Sequence, residues 1–277
     1  MSLKRRILNL LGKKPISLQY LYKNLADQKK ETIRGRLYES MGQGVVKRVG
    51  KGLYISATTI TEFGDSRKII NEMLIDNDKF DFIFLDIPYQ ASGTQGGNRN
   101  LFTLDKISVD DFQDLLPKLQ QLLKDENSPL CFMFTSGKSS IKDFKKYNDI
   151  FKNTDLKLAI SGSYEKMWSN GKPMNMGKYK MPKEHILLYN LSGQLPDLGY
   201  DIQAAPKFSY PTAKPYSLIK ELVEKLTKPL DWVLDPFVGS GVIVKVCQDL
   251  GRFCHVIDNA ETSVKKFVLP IMQTRVA

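Results

Sequence analysis

Asp86, Ile87, Pro88 and Tyr89 follow the apolar run 80–85, and their types suit one kind of chemistry. A carboxylate and a backbone carbonyl held by a stiff proline are two hydrogen-bond acceptors side by side. Such a pair binds an exocyclic amine, whose lone pair is otherwise delocalised into its ring, and draws the nitrogen toward sp3 geometry. The amine can then attack an electrophilic carbon with no covalent enzyme nucleophile. Tyr89 offers a ring face for a base that has left its stack. The polar, glycine-rich stretch 90–100 could close over the site. The competing reading is an ordinary turn, in which an Asp simply precedes Pro at a strand end.

A second constellation stands about 150 residues downstream. Trp232, Val233 and Leu234 read as a strand ending at Asp235, followed by Pro236, Phe237, Val238, Gly239, Ser240 and Gly241. A helical pattern continues through Val242, Val246 and Leu250, and a second strand ends at Ile257 and Asp258. Glycines let a backbone approach a ligand closely, and an acid at the second strand end can bind ribose hydroxyls. A nicotinamide cofactor is the competing reading, but the GxGxxG register places Val244 where the third glycine is required. Upstream, Tyr210, Pro211, Thr212, Ala213, Lys214 and Pro215 precede a helix-like run at 216–226.

The two constellations together resemble the amino-group DNA methyltransferases. Asp86 to Tyr89 is similar to that family's (D/N/S)PP(Y/F) motif, with Ile87 in place of the first proline. The stretch 210–258 is similar to its HPTQKP…LVLDPFxGSGTT…GIE block, departing at Tyr210, Ala213 and Val242. The resemblance implies catalytic roles for Asp86, Ile87, Pro88 and Tyr89. It implies S-adenosylmethionine contacts for Asp65, Asp86, Thr212, Lys214, Asp235, Phe237, Gly239, Ser240, Gly241 and Asp258. Aspartate in the first motif position is the commoner choice of N6-adenine enzymes, and serine of N4-cytosine enzymes. A catalytic motif ahead of the cofactor turn is the permuted order called the beta class, and Gly64, Asp65 and Ser66 sit where that class has a further block. Members often form dimers, so a homodimer or association with other subunits is compatible with the resemblance.

These residues must be positioned by buried strands. The run 80–85, bounded by charge, reads as a buried parallel strand, 130–135 as a strand and 184–189 as a buried strand. Residues 112–123 read as an amphipathic helix. The fold class expected is α/β, a Rossmann-like S-adenosylmethionine-dependent methyltransferase fold, over residues 58–277. Its catalytic half is 58–192 and its cofactor half 207–277. Residues 164–182 interleave aromatics with Lys and Gly, which suits nucleic-acid contact and falls about where the family's target-recognition region lies. Trp168, Lys172, Lys178 and Lys180 are its DNA-binding candidates; the alternative is a plain surface loop. Gly137, Lys138 and Ser139 are no phosphate loop, because Phe132 occupies the position of that motif's first glycine.

Charge separates residues 1–57 from the rest. They hold thirteen Lys or Arg against three acids, leaving 28 basic and 27 acidic residues elsewhere out of 41 and 30. Nearly all the net charge of +11 therefore sits in the first fifth, which suits a polyanion partner. Leu3 to Leu11, Leu18 to Leu25 and 31–41 carry helical spacing, the last with Ile33, Leu37 and Met41 inward. Ser17 is placed to cap the second helix. Two short strands follow around Gly50, Lys51 and Gly52. Three helices and a glycine-tipped hairpin resemble a winged helix-turn-helix domain. That implies double-stranded DNA as partner, with Arg34 and Arg36 facing the groove and Lys47, Arg48 and Lys51 on phosphates.

Cys131, Cys247 and Cys254 are widely spaced, so a reducing compartment fits. With two histidines, no zinc set can be built, and no metal is expected. The first twelve residues lack a signal-peptide core and no apolar run is long enough for a membrane span. A cytoplasmic location, nucleoid-associated or nuclear according to the cell type, is the expectation. The function expected is methyl transfer from S-adenosylmethionine to adenine N6 by base flipping, as in restriction-modification. The alternatives are cytosine N4 or RNA as substrate, a regulator with an inactive methyltransferase domain, and a protein side-chain amide as acceptor.

Overall fold

The structure, a computed structural model, describes residues 3–11, 16–42, 46–56, 59–87, 107–135, 140–164, 175–176, 179–180, 184–196, 198, 214–260, 265 and 268–273. It opens with α1 (Leu3–Leu11), β1 (Ile16–Ser17), α2 (Leu18–Asn24), α3 (Lys30–Gly42), β2 (Val46–Gly50) and β3 (Leu53–Ser56). The Ser17 hydroxyl caps α2 as its position demands, accepting from the Tyr20 amide at 3.1 Å. Helix α1 packs Ile7, Leu8 and Leu11 into a core shared with Leu21, Ile33 and Leu37. On α3 the third fully buried position is Ser40, and Met41 is half-buried. The strands form an antiparallel sheet in the order β1-β3-β2. Gly52, at φ 69°, turns the hairpin. Two-residue β1 is invisible to periodicity and exists only because β3 offers it an edge.

The remaining elements are β4 (Thr59–Phe63), α4 (Ser66–Ile75), β5 (Phe82–Asp86), α5 (Val109–Leu122), β6 (Leu130–Thr135), α6 (Ser140–Lys152), β7 (Lys157–Tyr164), β8 (Asn175–Met176), β9 (Tyr179–Lys180), β10 (Glu184–Asn190), α7 (Tyr216–Leu226), β11 (Trp232–Asp235), α8 (Val242–Leu250), β12 (Phe253–Asp258) and α9 (Leu269–Gln273). Seven strands make one sheet in the order β4-β12-β11-β5-β6-β10-β7. All pairings are parallel except those of β10, which runs antiparallel to β6 and β7. The apolar runs are continuous because both sheet faces are covered. Ile83, Leu85 and Phe132 face a core built with α4, α5 and α6, whereas Phe82, Phe84, Cys131 and Met133 face α7 and α8. Among the described residues β8 and β9 pair with each other, so between β7 and β10 the described structure holds one antiparallel pair of two-residue strands.

Candidate active site

The parallel strands end at one edge of the sheet, and the chemistry-bearing residues collect there. β5 ends in Asp86 and its direct neighbour β11 ends in Asp235. β12, on the other side of β11, ends in Asp258. Because β10 is reversed, its first residue, Glu184, reaches this same edge, opposite Thr135 and Tyr164. The catalytic and cofactor constellations, far apart in sequence, are thus brought together by the pairing of β5 with β11.

Asp86 is partly buried, and its two carboxylate oxygens differ. Oδ2 lies 2.8 Å from the Lys214 ammonium. Oδ1 is buried and has no hydrogen-bond partner among the described residues. The Lys214 side chain, only 4% exposed, also stands 3.5 Å from Oε1 of Glu184. Glu184 is fully buried and accepts a hydrogen bond from the Tyr164 hydroxyl on its other oxygen. A buried lysine between two carboxylates satisfies the rule that buried charges are paired. Pro215, following Lys214, is the N-cap residue of α7 and fixes the backbone there. Oδ2 is thus held by the ammonium, while the buried Oδ1 keeps acceptor capacity that no described residue uses.

The glycine turn after β11 is held from several sides. Gly239 (φ 46°) and Gly241 (φ 75°) occupy left-handed conformations that favour glycine. A Cβ on Gly241 would lie 3.1 Å from Ile271 and 3.3 Å from Val268, so the turn is closely covered there. The Asp235 carboxylate accepts from the Phe237 amide at 3.0 Å, and the Ser66 hydroxyl donates to the Pro236 carbonyl at 2.6 Å. Asp258 accepts from the Gly239 amide at 2.9 Å and the Ala260 amide at 2.7 Å. Burial pushes the Asp258 carboxyl upward, and these amide bonds oppose the shift. Glycine conformations and an acid at the next strand end fit a nucleoside-bearing cofactor.

Asp235 is buried more deeply, and burial pushes its carboxyl well above the ordinary value, with Asp86 and Asp258 adding to the shift. An acid whose folded value is raised is relatively favoured by folding below its unfolded value, here 3.8, and that advantage is lost as pH rises through the folded value. Asp235→Asn keeps an acceptor for the Phe237 amide and removes the buried charge. The variant should melt above the parent at pH 8. The gap should close at about pH 4. Paired melting curves across that range check this, and a gap that does not vary with pH would refute the assigned cause.

The other expected residues are placed as follows. Ile87 is buried, and Phe237 and Ser240 are half-buried. Asp65 caps α4 through the Arg67 amide and pairs with the Arg67 guanidinium, which also bridges to Asp111. That guanidinium holds the Asp65 carboxyl below its usual range. Among the described residues, the hydrogen bonds of that carboxylate all run to Arg67 of α4, through which it is linked to Asp111 of α5. Pro88, Tyr89, Thr212, Trp168, Lys172 and Lys178 lie outside the described residues. Lys47 falls on β2 and Lys180 on β9, with neither side chain described.

Arg34 is exposed and donates to the Tyr22 hydroxyl at 3.3 Å. Arg36 points elsewhere: with Thr32 and Glu39 it lines a crevice of about 680 Å³ between α1, α3 and the β4–α4 edge, where it pairs with Glu39 at 2.7 Å. Arg48 is exposed and donates to the Gly50 carbonyl, and Lys51 is exposed in the hairpin turn. Glu184 and Tyr164 were not singled out from sequence. The one available signal was a carboxylate opening the apolar run 184–190.

The N6/N4 DNA methylase family model matches residues 194–268. The chain is 26% identical over 247 residues to the Type II methyltransferase M2.LlaDCHI of Lactococcus lactis subsp. cremoris, covering 78% of this chain and 90% of the relative. Among solved structures, the M1.HpyAVI–SAM complex superposes with a TM-score of 0.58 at 17% identity, over 78% of this chain and 100% of that one. The PvuII DNA methyltransferase (cytosine-N4-specific) gives 0.58 at 13% identity, over 79% and 87%. The segment 194–268 is thus similar to the N6/N4 DNA methylases, and the chain has the α/β fold with a mostly parallel sheet seen in these methyltransferase structures. Among the described residues no helix is long and apolar enough to cross a membrane.

Proposed function

We propose that this chain transfers a methyl group from S-adenosylmethionine to the N6 amino group of an adenine flipped out of duplex DNA. The observation that carries the reading is Asp86, which ends β5 directly beside the strand that leads into the glycine turn, with its buried Oδ1 unpartnered among the described residues. The cofactor supplies a methyl group activated by its sulfonium. Asp86 Oδ1 accepts a hydrogen of the amine, localises the lone pair on nitrogen and stabilises the positive charge that develops there. The Ile87 or Pro88 carbonyl is the second acceptor, and Tyr89 stacks on the base. A proton then leaves the nitrogen for Asp86 or water. The Gly239–Gly241 turn, Phe237, Asp235 and Asp258 hold the cofactor, with Thr212, Lys214 and Asp65 around it.

The order, with β5 ahead of β11 in the chain, supports assignment to the beta class. Residues 1–57 form a winged-helix DNA-binding domain on this reading, supported by the order α1-β1-α2-α3-β2-β3, the antiparallel sheet and the local excess of basic residues. Arg34, Arg48 and Lys51 are exposed and suit phosphate or base contact. Lys47 and residues 164–182, with Trp168, Lys172, Lys178 and Lys180, complete the proposed DNA surface. Arg36 is the least suited of the set, because its guanidinium is committed to Glu39 inside the crevice.

Cytosine N4 is the second reading, favoured by the similarity to the cytosine-N4-specific PvuII enzyme. Incubation with duplex DNA and methyl-labelled cofactor, followed by digestion and identification of the labelled nucleoside, tests both. Label in N6-methyladenine is the expected result. Label in N4-methylcytosine would keep the mechanism and change the base. Cofactor binding with no labelled DNA would overturn the DNA-methylating reading in favour of an inactive regulator or an RNA substrate.

A further inference from the structure

The line Tyr164, Glu184, Lys214, Asp86 is buried, charged and crosses three separate parts of the chain. Asp86 belongs to β5, Glu184 and Tyr164 to the paired strands β10 and β7, and Lys214 to the segment before α7. Burying such groups is costly unless their arrangement is fixed by hydrogen bonds and opposite charge. From the start of β10, fully buried, Glu184 touches Lys214, and Lys214 touches Oδ2 of Asp86. A lysine against Asp86 alone would make a neutral pair. That pair would weaken the field needed to stabilise a developing cation.

We infer that Glu184 is a positioning residue that compensates the charge of Lys214, so that Lys214 can orient Asp86 through Oδ2 while the group Asp86–Lys214–Glu184 keeps one net negative charge facing the methyl-transfer position. The inference rests on the methyl-transfer reading given above. Lys214 fixes which oxygen is held and therefore which is offered. Glu184 ensures that this orientation does not cancel the charge of Asp86. The Tyr164 hydroxyl donates to the second oxygen of Glu184 and holds that carboxylate in place. None of these three side chains needs to touch the base.

The test reads the field without requiring turnover. Sinefungin carries an amine, protonated at neutral pH, where the cofactor carries its methyl sulfonium, and S-adenosylhomocysteine carries no charge there. The ratio of their affinities, measured by calorimetry on the full chain, reports the field while cancelling general damage to the shared pocket. Glu184→Gln should lower the sinefungin preference about tenfold, equivalent to about 1.4 kcal/mol. Adding Lys214→Met to Glu184→Gln removes the uncompensated cation, and the preference should return to within about threefold of the parent. An unchanged ratio in Glu184→Gln, or a double variant no better than the single, would overturn the inference. If Glu184→Gln does not fold, Tyr164→Phe replaces it, with an expected loss of about two- to threefold; no change there would overturn it equally. If the unsubstituted chain bound neither ligand, the cofactor reading itself would fall and this inference with it.

Discussion

Asp86→Ala is expected to lower single-turnover methyl transfer by about 10³ while leaving S-adenosylhomocysteine affinity within about threefold. The substitution deletes Oδ1, the buried acceptor with no partner among the described residues, and with it the charge that faces the developing cation. Lys214 keeps Glu184 as counter-ion, so no cation is left without a partner. The glycine turn after β11 does not hydrogen-bond to Asp86; its contacts run to Asp258, Ser66 and the Ile257 carbonyl. Asp86→Asn should fall between parent and Ala, since it offers a neutral acceptor and lacks the charge. Labelled-cofactor turnover and calorimetric titration on the same preparations separate chemistry from binding. Retained turnover in Asp86→Ala would refute its role; turnover and cofactor binding lost together would mark it as structural.

The second large effect is expected at Gly241. A side chain there meets two independent penalties. The left-handed φ of 75° costs an L-residue about 1–3 kcal/mol. The added Cβ at 3.1 Å from Ile271 and 3.3 Å from Val268 overpacks the contact by about 1–3 kcal/mol more. Gly241→Ala should therefore lose about 2–4 kcal/mol of stability and weaken cofactor binding by at least about tenfold, because the strain is relieved by moving the turn. Gly35→Ala is the matched control. Gly35 lies within α3, nothing stands within 4 Å of its Cβ position, and its φ is not positive. That variant should gain about 0.5–1 kcal/mol. Denaturant melts and ligand titrations of the pair check the contrast; an equal response at both glycines would show that neither strain nor crowding matters at Gly241.

Much of this site was legible because it sits where the chain changes state. Asp86, Asp235 and Asp258 each end an apolar run, and strand ends are where a parallel sheet offers its side chains to a ligand. The glycine turn was equally legible, since Gly239 and Gly241 hold backbone conformations few other residues tolerate. The roles of Glu184 and Lys214 toward Asp86 were not, because they arise from contacts across 30 and more than 100 residues of sequence that no local pattern encodes. Strands β4 and β7 escaped for a related reason. Both are sheet edges with mixed burial, so neither shows a continuous apolar run. On α3, spacing separated buried from exposed positions but could not say which exposed face meets the β4–α4 edge. Arg36, exposed and paired with Glu39, lies on the part of α3 that borders that edge.

The strand order carries a cost during synthesis. β5 needs β11 on one side, and β4 needs β12; in each case the partner is made well over a hundred residues later. A ribosome that has released residues up to 192 has made β5 and its apolar neighbours without the strand that covers that edge. Loop closure over such distances is slow, and an uncovered apolar edge invites pairing with other chains. The late-made strands β11 and β12 therefore complete two things at once, the cofactor turn and the middle of the sheet. Nascent chains halted before residue 258 should be held by chaperones or aggregate, whereas complete chains should close the sheet and fold as a unit.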